Sequence, residues 1–222
     1  MQEFKILMVD DHPIIIEGYM NVLMATKGEN QDLNIDTANN CDMAEIMINR
    51  ASKDEHYDIC FFDISLPPSR DGKYTSGEDL AKLAQKVMPK TKVIILTMFN
   101  ESFRIHNIIR EINPDGFLIK SDLTSMELAD AFQHIIKSPP YYSSTVHNYV
   151  KQTLTNEIYI DDVNRKILYL LSQGIKTKSL LDHISLSMSA IEKRKKQLKL
   201  LLSVEDGKDE TLLLNAKEMG FL

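Results

Sequence analysis

Apolar and polar positions along this chain follow one pattern in its first 137 residues and another beyond them. Short apolar runs predict buried strands at 4–9, 33–38, 58–62, 92–96 and 115–119. The segments between these runs space their apolar residues as helices do, which predicts helices at 13–26, 43–52, 78–88, 101–111 and 123–137. Strands that alternate with helices favour parallel βαβ units with helices on both faces of the sheet. The first pattern therefore predicts an α/β domain.

The second pattern begins after Pro139 and Pro140, because two consecutive prolines stop a helix. Only helical spacing follows, at 161–173, 176–184, 187–202 and 209–219. The two middle segments are separated by a short turn, which is the spacing of a helix-turn-helix. We therefore expect a flavodoxin-like, doubly wound, five-stranded parallel sheet of order 2-1-3-4-5 and then a small all-α, four-helix helix-turn-helix domain. The predicted boundaries are 1–137 for the first domain, 138–157 for a linker and 158–222 for the second domain.

Four predicted strands end in residues that carry chemistry. Asp10 and Asp11 follow the first strand, Asp63 ends the third, Thr97 follows the fourth and Lys120 follows the fifth. Alone, each Asp or Thr is typical of a helix cap or a turn, and Lys120 is typical of a solvated charge. Together they fall at the carboxyl ends of parallel strands, where open α/β sheets bind ligands. Adjacent carboxylates repel each other unless a cation is present, and their hard oxygens suit Mg²⁺.

Composition narrows the class of protein without choosing a function. Of the 222 residues, 43% are hydrophobic and 26% are charged, which is typical of an ordinary globular protein. No apolar run is long enough to cross a membrane and no signal-peptide pattern begins the chain, so we expect a cytoplasmic protein without a membrane partner. The two cysteines, Cys41 and Cys60, have no metal-site spacing and are interpreted as structural thiols.

Charge points to a second candidate site in the last predicted domain. The net charge is −6, yet five of the seven residues 193–199 are Lys or Arg. On a helix over 187–202, one face carries Ser189, Lys193 and Lys196, with Arg194 on its flank. In a helix-turn-helix this face would enter the major groove of double-stranded DNA, and Lys178 at the start of the preceding helix could contact the DNA backbone.

Other residues of that helix fit DNA binding less well. Lys195 falls within the apolar stripe of the helix, where its ammonium would have to reach past its neighbours to water. Glu192 would repel phosphate unless it accepts a hydrogen bond from a cytosine amino group. The second domain could therefore be a divergent DNA reader, or it could bind a protein partner.

The motifs resemble a known family over nearly the whole chain. Asp10-Asp11-His12-Pro13, Phe61-Phe62-Asp63-Ile64-Ser65-Leu66-Pro67, Leu96-Thr97 and Phe117-Leu118-Ile119-Lys120 are similar to the receiver domain of two-component response regulators. The stretch 171–191 resembles, more loosely, the NarL/LuxR-type helix-turn-helix.

The resemblance implies a role for each strand-end residue. Asp63 would accept a phosphoryl group from a sensor histidine kinase, and Mg²⁺ would be held by Asp10, Asp11, Asp63 and the backbone carbonyl of Ser65. Thr97 and Lys120 would contact the phosphoryl oxygens, and Phe117 would be the aromatic residue that switches with Thr97. The resemblance further implies a homodimer on phosphorylation and DNA-dependent transcription regulation.

Two alternatives remain open on the sequence. A phosphorylation switch could act on a protein partner instead of DNA. A Mg²⁺-dependent phosphohydrolase with Asp63 as covalent nucleophile would need a second acid or base near it, and Ile64-Ser65 supplies no carboxylate. We therefore expect no enzymatic activity other than phosphorylation and dephosphorylation of the chain itself. The segment 65–77 is long for the family, and we hypothesise that this surface loop contributes to kinase recognition.

Overall fold

The strands of the first half form one twisted parallel sheet. The structure is a computed structural model that describes residues 2–53, 56–155 and 160–222. In this part of the chain the strands are β1 (Gln2–Val9), β2 (Gln31–Ala38), β3 (Ile59–Asp63), β4 (Lys92–Thr97), β5 (Gly116–Ile119) and β6 (Tyr141–Tyr142). Their order across the sheet is β2-β1-β3-β4-β5-β6, and neighbouring strands of this sheet are parallel. The predicted order 2-1-3-4-5 is confirmed.

The predicted strand count was wrong by one. A sixth strand, β6, follows Pro139-Pro140 inside the segment expected to be a linker, and it pairs with β5 at the edge of the sheet. Two residues are too few to give an apolar run, and their pairing uses backbone groups that any residue carries. The sequence pattern therefore held no signal for β6.

The helices have the following bounds. In the described residues they are α1 (Pro13–Thr26), α2 (Cys41–Ala51), α3 (Gly77–Val87), α4 (Ser102–Ile112), α5 (Ser125–Lys137), α6 (Ser144–Thr155), α7 (Asp162–Ser172), α8 (Met188–Leu201) and α9 (Asp209–Glu218). The segment expected to be a helix at 176–184 forms a 3₁₀ helix over Thr177–Asp182. None of these helices combines the length and the apolar character that a membrane crossing requires.

Local signals explain several helix ends. Pro13 occupies the first turn of α1, where its missing N–H costs nothing. Ser187 caps α8, because its hydroxyl accepts a hydrogen bond from the amide of Ala190. Thr124 and Glu127 form a capping box at the start of α5, which fixes where the chain turns after β5.

Two compact units result. The first comprises residues 1–100 and 108–147, and the second comprises residues 101–107 and 148–222. The first unit thus continues past the boundary expected at 137, because β6 is bonded into its sheet. Each unit has an apolar core: one is built largely from β1, β3, β4, β5, α1 and α5, and the other largely from α7, α8 and α9. Packing around the first core positions the strand ends of the sheet, and packing around the second core positions α8.

Candidate functional site

The polar strand-end residues meet at the carboxyl edge of the first unit's sheet. Asp10 follows β1, Asp63 ends β3, Thr97 ends β4 and Lys120 follows β5. Because β1, β3, β4 and β5 are successive neighbours in the sheet, their carboxyl ends form a continuous row. Asp10, Asp63 and Thr97 are all buried. Three polar side chains buried together at one edge of a sheet are typical of a functional site.

Carboxylates of this row form a candidate cation site. Single ligand atoms from Asp10, Asp11, His12 and Asp63 lie within 4.8 Å of one another. The sequence pattern gave His12 no role of its own, but its Nδ1 lies 2.7 Å from Asp11 Oδ1 and 3.2 Å from Asp10 Oδ1. The position of His12 directly after two aspartates was the available signal.

Lys120 supplies positive charge from the opposite side of the cluster. Its Nζ donates to Asp10 Oδ2 at 2.6 Å and lies 3.2 Å from Asp63 Oδ1. The Lys120 side chain is only 7% exposed, so these ion pairs are weakly screened by water. Three carboxylates facing one ammonium leave the site with an excess of negative charge.

The titration of neighbouring groups reflects this excess. Burial raises the pKa of the Asp63 carboxyl above its ordinary value; the Lys120 ammonium opposes the rise and the Asp10 carboxylate adds to it. Burial, with the charges of Asp10 and Asp63, raises the pKa of Tyr19 to about 12. A cation bound beside Asp63 would favour the ionised form of its carboxyl, which burial disfavours.

The cluster fits Mg²⁺ by its donor set and by its unsatisfied oxygens. Asp11 Oδ1 and Asp63 Oδ1 are buried and accept no well-formed hydrogen bond among the described residues, although each lies near a nitrogen-bearing side chain. Carboxylate oxygens that lack hydrogen bonds are the hard ligands that Mg²⁺ prefers. The amide of Ser65 donates to the Asp63 carboxylate, and the role of the Ser65 carbonyl as a ligand stays a prediction.

Thr97 and Phe117 lie on adjacent strands beside this cluster. Thr97 is fully buried, and its Oγ1 accepts a hydrogen bond from the amide of Phe99 at 3.0 Å. Phe117 is also fully buried, paired with Ile95 of β4 on one side and Tyr142 of β6 on the other. Both residues are therefore placed inside the sheet layer, where a shift of either one must be accommodated by its neighbours.

Hydrogen bonds and an ion pair hold the long segment 65–77 after Asp63 in place. Ser69 and Tyr74 are buried and pair through the Ser69 amide and the Tyr74 carbonyl at 2.8 Å, and Lys73 Nζ lies 2.7 Å from Glu45 of α2. At its end, Gly77 packs so tightly against Asp63 that an added Cβ would overlap the Asp63 carbonyl oxygen. Sequence reasoning missed Gly77, because only the folded chain brings these two backbones together.

The second candidate site lies on α8 in the second unit. Lys178, Ser189, Lys193 and Lys196 are exposed, as predicted for a surface that contacts a ligand. Within the described part of the chain, none of these three lysines has an ion-pair partner. Their ammonium groups are available to an anionic partner.

Two other basic residues of α8 have structural partners. Arg194 donates to Asp161 Oδ2 at 2.7 Å and to Asn164 Oδ1 at 3.0 Å, which ties α8 to the start of α7. Lys195 does not reach water: it is buried, and its Nζ lies 2.7 Å from Asp209 Oδ2. The residue count of the basic run therefore overstates the charge that α8 offers to a ligand.

Known proteins resemble this chain over both units. It is 21% identical over 215 residues to the oxygen regulatory protein NreC of Staphylococcus epidermidis, covering 90% of this chain and 92% of that protein. It is 23% identical over 206 residues to the transcriptional regulatory protein MctR of Rhizobium johnstonii, covering 91% and 88%.

Solved structures share the fold. A structure of RcsB dimers bound to DNA matches with a TM-score of 0.63 at 19% identity, covering 97% of this chain and 98% of that one. RcsB from Salmonella enterica serovar Typhimurium, bound to a promoter with a phosphomimetic, matches with a TM-score of 0.61 at 20% identity, covering 96% and 97%. The sequence profile of the response regulator receiver domain matches residues 6–133, more than half of the chain. With the acidic cluster, Thr97 and Lys120 in place at its strand ends, the chain belongs to the response regulator receiver family.

Proposed function

We propose that this protein is a phosphorylation-switched transcription regulator that accepts a phosphoryl group on Asp63 and binds double-stranded DNA through α8. The observation that carries the proposal is the convergence of Asp63, Asp10 and Lys120 within hydrogen-bond or ion-pair distance at one buried sheet edge. The curated relatives with full-length similarity are regulatory proteins, and the structural neighbour RcsB is described bound to DNA as dimers.

Phosphoryl transfer would use the residues as follows. A carboxylate oxygen of Asp63 would attack the phosphorus of a phosphohistidine on a sensor histidine kinase. The phosphorus–nitrogen bond would break, the imidazole of the kinase would leave, and an acyl phosphate would form on Asp63. Lys120, already 3.2 Å from Asp63, would bind a phosphoryl oxygen and offset its charge. Mg²⁺ held by Asp10, Asp11, Asp63 and the Ser65 carbonyl would neutralise further charge on the transferring group. We propose no turnover of external phosphate esters, since the residue two positions after Asp63 is Ser65 and supplies no carboxylate there.

The new phosphoryl oxygens give the switch its first step. Thr97 Oγ1 now accepts from the Phe99 amide, and a phosphoryl oxygen would offer its hydroxyl a new acceptor. Movement of Thr97 would change the packing around Phe117, one strand away. Such a local packing change can bias a distant equilibrium, which we propose is dimerisation and DNA binding.

DNA binding would rest on Lys178, Ser189, Lys193 and Lys196. We assign Arg194 a structural role instead, because Asp161 and Asn164 already occupy its guanidinium. The full-length protein should be tested against a pool of random-sequence duplexes across a salt series. We expect the slope of log affinity against log salt to fall by about one for each lysine removed in Lys193→Ala/Lys196→Ala.

A matched control removes the same charge elsewhere. Lys166 and Lys217 are exposed residues of the second unit outside α8, so Lys166→Ala/Lys217→Ala should keep the wild-type slope. Equal losses in both double variants would show that net charge, and not the α8 face, attracts DNA. Absence of binding by the wild type would leave a protein partner as the target of the switch.

A further inference from the structure

The position of Lys120 depends on the short turn that carries it. Lys120 begins a 3₁₀ turn, Lys120–Asp122, directly after β5 ends at Ile119. Its Nζ must lie between Asp10 and Asp63, at 2.6 and 3.2 Å. A lysine side chain has four rotatable bonds, so such a placement needs a fixed backbone beneath it. The groups that hold both ends of the turn therefore influence the charge placed beside Asp63.

Residues after α5 return to this turn and extend the sheet. Tyr141 and Tyr142 of β6 pair with Gly116 and Phe117 of β5. The amide of Ser143 then donates to the Phe117 carbonyl at 3.0 Å. This backbone pairing brings the Ser143 side chain to the end of β5, within the first compact unit.

The Ser143 hydroxyl joins the two ends of the turn. Its Oγ accepts a hydrogen bond from the Ile119 amide at 3.1 Å, immediately before Lys120. The same hydroxyl donates to the carboxylate of Asp122, the last residue of the turn. Ser143 is buried and Ile119 is fully buried, so water cannot readily replace either bond.

Neighbouring residues hold Asp122 in the ionised form that this arrangement needs. The Asp122 carboxylate also accepts from the amide of Thr145 at 2.9 Å and from its hydroxyl at 2.8 Å. Partial burial acts to raise the pKa of Asp122, but hydrogen bonds from Ser143, Thr145 and Ser144 outweigh it and hold that pKa below its ordinary value. An ionised Asp122 is a strong acceptor for the Ser143 hydroxyl.

We propose that Ser143 is a positioning residue for phosphoryl transfer: by bonding Ile119 and Asp122 it fixes the turn that aims Lys120 at Asp63. This inference rests on the proposed function, since it takes Lys120 to be the residue that binds the transferring phosphoryl group. It makes the segment between the two predicted domains part of the phosphoacceptor site. A receiver truncated at the predicted boundary of 137 would lack this support.

The test measures the rate of Asp63 phosphorylation in full-length protein with acetyl phosphate and Mg²⁺, read by intact mass. Small displacements of positioning groups can cost about 100-fold in rate, so we expect Ser143→Ala to slow phosphorylation by roughly 10- to 100-fold. Ser143→Thr keeps the hydroxyl and should retain most of the rate. Thr145→Val is the matched control, because it removes a neighbouring hydrogen bond to Asp122 while leaving the bond to Ile119.

A double-mutant cycle separates positioning from general loss of stability. In a Lys120→Met background no ammonium is left to aim, so adding Ser143→Ala should cause no further slowing. Additional slowing of the same size as in the wild type would overturn the proposal, as would an unchanged rate in Ser143→Ala itself. If Ser143→Ala fails to fold, Ser143→Cys takes its place, because its thiol fills the space of the hydroxyl but is a weaker donor and acceptor. A slowed rate in Ser143→Cys supports the inference, and a wild-type rate contradicts it.

The controls also separate this inference from the proposed function. If wild-type protein gains no phosphoryl mass, or Asp63→Asn gains as much as wild type, the proposed function fails and the role of Ser143 fails with it. If phosphorylation occurs and depends on Asp63 but not on Ser143, only the positioning role is refuted.

Discussion

The ion pair between buried Lys195 and partly exposed Asp209 yields a sharp prediction about the stability of the second unit. Lys195 lies in the apolar stripe of α8, with its Nζ 2.7 Å from Asp209 Oδ2 and 2.7 Å from Thr177 Oγ1. Asp209 has a second cation, since Lys199 Nζ lies 2.6 Å from its Oδ1. Lys195 therefore has one carboxylate partner, whereas Asp209 has two ammonium partners.

This asymmetry decides which single change is costly. Asp209→Ala leaves a buried ammonium with only the Thr177 hydroxyl, and breaking a buried pair costs about 3–5 kcal/mol. The Asp209 side chain is 37% exposed, so water can partly replace it and we expect a loss of about 2–3 kcal/mol. Lys195→Met removes the buried charge, suits the apolar stripe and leaves Asp209 paired with Lys199. We expect it to change stability by less than about 1 kcal/mol.

Native-state hydrogen exchange in the full-length protein is the suitable assay. Peptides from α8 and α9 report the free energy of opening of the second unit, whatever the first unit does. The double variant Lys195→Met/Asp209→Ala should recover most of the loss seen in Asp209→Ala. Equal losses in the two single variants, or simple additivity in the double variant, would refute the reasoning.

Three further predictions concern the phosphoacceptor site and pH. Because the pKa of Asp63 is raised in the folded state, ionisation of its carboxyl opposes folding. This destabilisation is fully present above the folded-state pKa and absent below the unfolded-state pKa. Asp63→Asn should therefore stabilise the metal-free protein at pH 7 by on the order of 1 kcal/mol. Thermal melts of the wild type and Asp63→Asn in EDTA at pH 7 and pH 3.5 test this. A melting temperature of Asp63→Asn below that of the wild type at pH 7 would contradict it. Gly77→Ala should destabilise the first unit by more than about 2 kcal/mol in urea melts, because the added Cβ would overlap the Asp63 carbonyl oxygen. Gly18→Ala is the control: an added Cβ at Gly18 would have no atom within 4 Å, and the variant should stabilise α1 by about 0.5–1 kcal/mol. If both glycine variants behave alike, the close approach at Gly77 is not tight. Burial acts to raise the pKa of Asp209, but Lys195 and Lys199 hold that pKa below its ordinary value of 3.8. The stabilisation that the ionised Asp209 contributes is therefore present above pH 3.8 and is lost as the pH falls through the folded-state pKa. Hydrogen-exchange protection of α8 should fall in this acid range, and Asp209→Asn should lack this part of the fall; an unchanged pH profile in the variant would count against the ion pair.

Strong local patterns made most of the first unit predictable. Apolar runs predicted the positions of five strands, and their alternation with helices predicted a parallel sheet. Five such units fit the flavodoxin-like order 2-1-3-4-5, which the structure has. Side chains that directly follow a strand, such as Asp10 and Lys120, could be placed at the site, because the carboxyl ends of parallel strands share one edge.

Features that depend on approach between distant segments were not predictable. β6 and α6 lie directly after a proline break, in a stretch of mixed polar and apolar residues that was interpreted as a linker, and Ser143 becomes part of the site through backbone pairing. Gly77 is needed because another backbone passes beside it. The basic run on α8 looked uniform in sequence, yet Arg194 and Lys195 differ from Lys193 in having partners from α7 and α9.

The central claim is that phosphorylation of Asp63 and DNA binding are coupled. The most direct measurement compares the duplex affinity of full-length protein with and without acetyl phosphate and Mg²⁺, alongside Asp63→Asn, with phosphorylation confirmed by intact mass. Typical coupling of 1–3 kcal/mol predicts a roughly 5- to 150-fold tighter affinity for phosphorylated wild type and no change for Asp63→Asn. An affinity that stays the same when Asp63 is fully phosphorylated would contradict the account.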